Sequence, residues 1–151
     1  MEKDYLINKD KIYQNLQKYK NCCPIGNTGR LENKMKLESN KKIINGDVYN
    51  IEDAEKIAVA TNMFIDSEPS IDELKYYAEY TSQFVAEVLY KAANGNYFVY
   101  AMGGNTSTYA QLYVTGRGAG SDIWLIDEDE IPSWMEQYNL VDEYERFMEG
   151  K

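Results

Sequence analysis

The 151-residue chain suffices for one compact core but hardly for two, and no stretch approaches the roughly 20 apolar residues of a membrane-spanning helix. Its net charge of −9 is unevenly placed: residues 1–42 hold ten Lys/Arg against five Asp/Glu, whereas residues 43–151 hold six against twenty. So acidic a body repels phosphates, which argues against direct nucleic-acid binding; the excess either attracts a basic partner or merely keeps a small protein soluble.

In chain order, Asn8 is placed to cap a helix over Lys9–Tyr19, with Ile12, Leu16 and Tyr19 on one face. Asn21–Asn40, with Pro24, Gly26 and Gly29, reads as an irregular linker with a short helical turn near Leu31–Leu37. The expected division is thus a basic helix and linker, residues 1–41, and an acidic domain, residues 42–151. Ile43–Tyr49 is a hairpin signal, because Asn45-Gly46 suits the two positive φ angles of a type I′ turn. Asn50 is expected to cap a helix over Ile51–Asn62, with Ile51, Ala54, Ile57 and Ala58 as its buried stripe.

Ser70 and Glu73 form a capping box for a second helix carrying Ile71, Leu74, Ala78 and Thr81. That period runs on through Val85 and Val88, while Phe84, Ala86, Val88 and Tyr90 alternate as in a strand. Asn94-Gly95 before Tyr97–Tyr100 favours a hairpin, with the helix ending near Gln83 and a strand over about Val88–Lys91. Thr108–Thr115 alternates too, with Ala110, Leu112 and Val114 on one side and Tyr109, Gln111 and Tyr113 on the other. A glycine loop, a strand over Asp122–Ile126, an acidic turn at Asp127–Glu130, a helix with Pro132 in its first turn and a terminal helix Val141–Met148 complete the order. The expected class is α+β, a small antiparallel sheet with several helices packed on it.

Chemistry is limited by what is missing. Without histidine there is no Ser-His or Cys-His dyad, and the adjacent Cys22 and Cys23 suit neither a disulfide nor a zinc site. No catalytic residue, metal or cofactor is therefore expected, and the protein is expected to be cytoplasmic. Gly116, Gly118, Gly120 and Ser121 form a glycine-rich loop that suits a phosphate nest but lacks the P-loop ending. Gly103-Gly104 reads as a turn in which glycine supplies positive φ. Asp127, Glu128, Asp129 and Glu130 read either as a helix start complementing the dipole or as an acidic patch for a basic partner. Tyr109 and Tyr113 are expected at the surface, with at least one of Tyr76, Tyr77 and Tyr80.

One resemblance adds context. Lys42-Ile43-Ile44-Asn45-Gly46, Tyr49 and Asp53–Ala58, followed by Leu89-Tyr90, Gly95–Phe98, Gly103-Gly104 and Ser107–Ala110, are similar in order to motifs of a group of small acidic proteins. That group comes from phages and mobile elements of low-GC Gram-positive bacteria. The resemblance covers roughly residues 42–148, and analogy with anti-CRISPR and antirestriction proteins implies inhibition of host defence inside a bacterial cell.

The leading expectation is a non-enzymatic inhibitor of a basic, nuclease-type host protein. Asp127, Glu128, Asp129, Glu130, Glu136, Tyr109 and Tyr113 would form its acidic, tyrosine-rich DNA-mimicking surface. The alternative is a nucleotide-sequestering protein using Gly116, Gly118, Gly120 and Ser121.

Overall fold

A computed structural model of the chain describes residues 35–63, 65, 68–113 and 116–150. The helix expected over Lys9–Tyr19, and Cys22 and Cys23, lie outside the described residues. The described chain runs β1 (Met35–Lys36), β2 (Lys41–Ile44), β3 (Asp47–Asn50), β4 (Glu55–Thr61), α1 (Ile71–Tyr80), β5 (Val85–Lys91), β6 (Tyr97–Gly103), β7 (Gln111–Tyr113), β8 (Gly116–Gly118), β9 (Gly120–Ile126), α2 (Ile131–Gln137) and α3 (Val141–Glu149). Short 3-10 turns cover Ile51–Asp53 and Glu128–Glu130. One antiparallel sheet has the order β1-β9-β6-β5-β4, and β2-β3 and β7-β8 are separate hairpins. The class is α+β.

Local signals act where they are strongest. Asn45 (φ 53°) and Gly46 (φ 87°) form the β2–β3 turn, with Ile43 opposite Val48. The turn at Asn94-Gly95 is of another kind: the Gly95 N–H donates to Ala92 O, Gly95 takes φ 91°, and the Ala92 N–H donates to Asn96 O. This is the bulged hairpin, which needs positive φ only at glycine. At α1, Ser70 Oγ accepts from the Glu73 N–H at 3.1 Å and the Ser70 N–H donates to Glu73 Oε1 at 3.3 Å. The helix stops at Tyr80, before the expected Gln83: Thr81 turns extended (φ −128°, ψ 104°) and its N–H donates the last helical bond, to Tyr77 O. Thr81 O accepts from the Phe84 N–H and Ser82 O from the Thr106 N–H.

The helix expected over Ile51–Asn62 does not form. Asn50 Oδ1 does accept from the Glu52 N–H at 2.9 Å, but it caps a single 3-10 turn, and β4 follows. Ile57, Val59 and Thr61 are β-branched at every second position, which disfavours helix, and burial alternates with Ala58 and Ala60 inward. The Asn62 N–H donates to Val85 O at 3.1 Å, joining β4 to β5. Strand β5 begins at Val85, three residues before the expected start, and is buried through Tyr90. Burial on both faces is why its pattern also fitted a helix.

Gly103 and Gly104 serve close approach, not positive φ. Gly103 ends β6, and a Cβ on Gly104 would collide with the Thr81 and Ser82 carbonyls.

Contacts divide the chain into two units. The first takes the described part of Met1–Ser39 with Thr61–Glu87 and Ala101–Asp122; the second takes Asn40–Ala60, Val88–Tyr100 and Ile123–Lys151. In the first unit, Leu74, Tyr77 and Ala78 of α1 are buried, and Tyr77 faces Phe84 with centroids 5.6 Å apart. Within this unit the chain joins the sheet at Met35, ahead of the boundary expected after residue 41. Met35 pairs with Ser121 and Lys36 with Gly120, Ser121 Oγ donates to Lys36 O at 2.8 Å, and Leu37 is buried. In the second unit, Tyr49 tilts against Phe98 and accepts from the Asn94 and Asn96 side-chain amides at 3.2 and 2.9 Å. Ile131, Trp134 and Met135 of α2 are buried there.

Leu37→Ala is expected to cost about 2–5 kcal/mol in urea unfolding. A chain begun at Lys41 should melt below the full chain; equal midpoints would show that β1 and Leu37 are dispensable. Tyr90, stacked on Phe98 at 5.3 Å, has its hydroxyl pushed by burial from 10.0 up to about 12. The folded state then holds this proton more tightly than the unfolded chain, so its contribution is intact below about pH 10 and is lost toward about pH 12. Tyr90→Phe should reduce the alkaline fall in urea midpoint over that window.

Candidate functional site

The acidic residues singled out by sequence all lie in the second unit and are all exposed. Asp127 heads the 3-10 turn Glu128–Glu130, where its N–H donates to Glu130 Oε1 at 3.1 Å and the Glu130 N–H returns to Asp127 O at 2.9 Å. The turn leads directly into α2, with Pro132 in the first turn and Glu136 on the outer side. The run therefore starts a helical segment, and its carboxylates are exposed to solvent. Across residues 123–151 there are nine Asp/Glu and two Lys/Arg, a strong local excess of negative charge. Among the described residues no three acidic or cysteine side chains converge as metal ligands.

The tyrosines divide differently from expectation. Tyr109, expected at the surface, is fully buried in the first unit, and its hydroxyl donates to Glu87 Oε2 at 2.8 Å. Glu87 sits on β5 at 3% exposure, and a carboxylate so desolvated needs a donor. Tyr109 departs from the alternation along Thr108–Thr115 because the strand itself begins only at Gln111. Leu112, placed inward by the same pattern, is 61% exposed.

Tyr113 is exposed as expected. Its ring lies over Gly118 and its hydroxyl donates to Ala119 O at 3.0 Å. Burial first, then the Glu38 and Glu79 carboxylates, push that hydroxyl above its ordinary value. On α1, Tyr76 and Tyr80 are exposed with centroids 4.9 Å apart, and Tyr77 is buried. The first unit thus carries an acidic tyrosine surface of its own, made by Tyr76, Glu79 and Tyr80 of α1 with Tyr113 of β7. The helical spacing of Tyr76 and Tyr80 was its sequence signal.

The glycine-rich segment is not a loop. Gly116 pairs with Tyr113 and Gly118 with Gln111, while Gly120 and Ser121 belong to β9 and are buried. These residues spend their backbone on strand pairing instead of gathering N–H groups around an anion. A Cβ on Gly120 would collide with Tyr109 O, so this glycine is required by close packing. Sequence reasoning also missed the apolar side chains left outside: Ile43 and Val48 face each other on the β2–β3 hairpin at 71% and 60% exposure, and Val141, Tyr144 and Met148 of α3 are exposed.

Compared with models of known families, with curated proteins and with solved structures, the chain matches none.

Tyr109→Phe leaves the Glu87 carboxylate without this donor and is expected to cost about 1–3 kcal/mol in chemical denaturation. Tyr80→Ala, at an exposed position, should stay within about 0.5 kcal/mol. Equal losses for the two would refute the assignment of Tyr109 to the core and Tyr80 to the surface.

Proposed function

We propose that the protein is a non-enzymatic inhibitor that occupies a basic, nucleic-acid-handling protein, of the host-defence type its sequence resemblance implies. The observation that carries this reading is the exposed carboxylate series Asp127, Glu128, Asp129, Glu130 and Glu136 within a segment of nine acidic and two basic residues. Such a surface attracts a DNA-binding channel and repels DNA itself. Rim charges of this kind act mainly on the rate of encounter, while buried aromatic anchors control dissociation. Tyr109 is removed from the anchor role by its burial.

Affinity capture from a bacterial host lysate supplies the partner, and stopped-flow association tests the mechanism. Asp129→Lys with Glu130→Lys should slow association roughly tenfold and flatten its salt dependence. Excess duplex DNA should compete for the partner. A neutral or acidic partner, or an association rate indifferent to both reversals, would sink the proposal.

A further inference from the structure

In the second unit the corner between α2 and α3 leaves a groove. Asn139 takes φ 55°, its N–H donates to Glu136 O, and the Leu140 N–H donates to Met135 O at 3.0 Å, which closes α2 and redirects the chain. Helix α3 then sets Phe147 edge-on to Tyr97, with centroids 6.1 Å apart. At about 100° per residue, Val141, Tyr144 and Met148 fall within about 60° of one another on another side. They remain 54%, 38% and 41% exposed, and α3 has no buried residue. The groove is an open depression of about 240 Å³ lined by Met135, Glu136, Asn139, Leu140, Val141 and Tyr144. Asp142, Glu145 and Glu149 border α3 on its solvent side, with Arg146 as the helix's one basic residue.

We infer that this groove docks a basic amphipathic helix of the partner protein, with apolar anchors against Val141, Tyr144 and Met148 and Lys/Arg side chains on the surrounding carboxylates. The inference rests on the basic partner proposed above and adds the element that enters and the residues that hold it. Apolar side chains at i, i+3 and i+7 beside a second helix match the ridge-and-groove packing of helices. Charge selects the occupant. A second copy of α3 would set Asp142, Glu143, Glu145 and Glu149 against the same four carboxylates, whereas a basic helix neutralises them.

The probe is a synthetic Leu/Lys peptide about 18 residues long with its leucines at helical spacing, set against a scrambled peptide of equal composition. Added to the full chain, the amphipathic peptide should bind saturably and gain helicity by circular dichroism. Tyr144→Ala with Met148→Ala should weaken it tenfold or more at an unchanged melting temperature; Val141→Ser serves as a second variant if the first pair melts early. Equal binding of the scrambled peptide, or indifference to all three substitutions, would overturn the groove and leave the acidic-surface reading standing. Tight peptide binding alongside a captured partner that proves neutral would leave the groove and remove that reading. A dimer abolished by Tyr144→Asp in sedimentation would assign the groove to a second copy. A tenfold gain in peptide affinity from Ile12→Ser with Leu16→Ser would assign it to the chain's own N-terminal segment, and either result overturns the external partner.

Discussion

Strands β5 and β6 are buried on both faces, from Val85 to Tyr90 and from Phe98 to Gly103, so polar groups there must be answered by protein instead of water. Glu87 is the severest case, a carboxylate within an apolar strand, and the Tyr109 hydroxyl answers it. At the start of β5 the Val85 N–H donates to Asn62 Oδ1 at 3.0 Å, and Asn62 Nδ2 donates to Gln83 O at 3.0 Å. A buried asparagine thereby satisfies a strand end and the turn before it with one side chain. The same need draws Tyr109 inward and spends Ser121 Oγ on Lys36 O.

That constraint sorts the described tyrosines and carboxylates. Tyr49, Tyr77, Tyr90, Tyr100 and Tyr109 are core residues, while Tyr76, Tyr80, Tyr113 and Tyr144 stay exposed. Tyrosine serves the core because its ring contributes apolar area and its hydroxyl closes a polar contact, as Tyr49 does for Asn94 and Asn96. Among the described residues only Glu87 and Asp122 are buried carboxylates. The other described acids are left at or near the surface, where they set the sign of its field.

The acidic surface and the α2–α3 groove would act over different ranges. Exposed charge is felt out to about a Debye length, roughly 8 Å at physiological salt, and recruits without fixing orientation. Apolar contact at Tyr144 and Met148 acts only on touching and fixes register. A binder built from both would gain fast encounter from one and residence time from the other, with independent sensitivities to salt and to side-chain truncation.

Sequence alone determined the features whose physics is local. The Asn45-Gly46 turn follows from the φ angles those residues tolerate, the start of α1 from the Ser70–Glu73 capping box, and the entry to α2 from Pro132 and the acidic turn before it. The α+β class and the excess of exposed negative charge were legible for the same reason. Tertiary structure decided what depends on distant partners. Ile51–Asn62 fits a helical stripe, yet Glu55–Thr61 is a strand because β5 supplies the hydrogen bonds and Ile57, Val59 and Thr61 fit a pleated surface. Tyr109 is buried because a carboxylate 22 residues away requires its hydroxyl. Gly116–Gly118 is a strand because Gln111–Tyr113 lies beside it. Val141, Tyr144 and Met148 share one face of α3, and they remain exposed while Phe147 packs against Tyr97. Periodicity reports which side chains share a face; only the packed chain determines whether anything covers it.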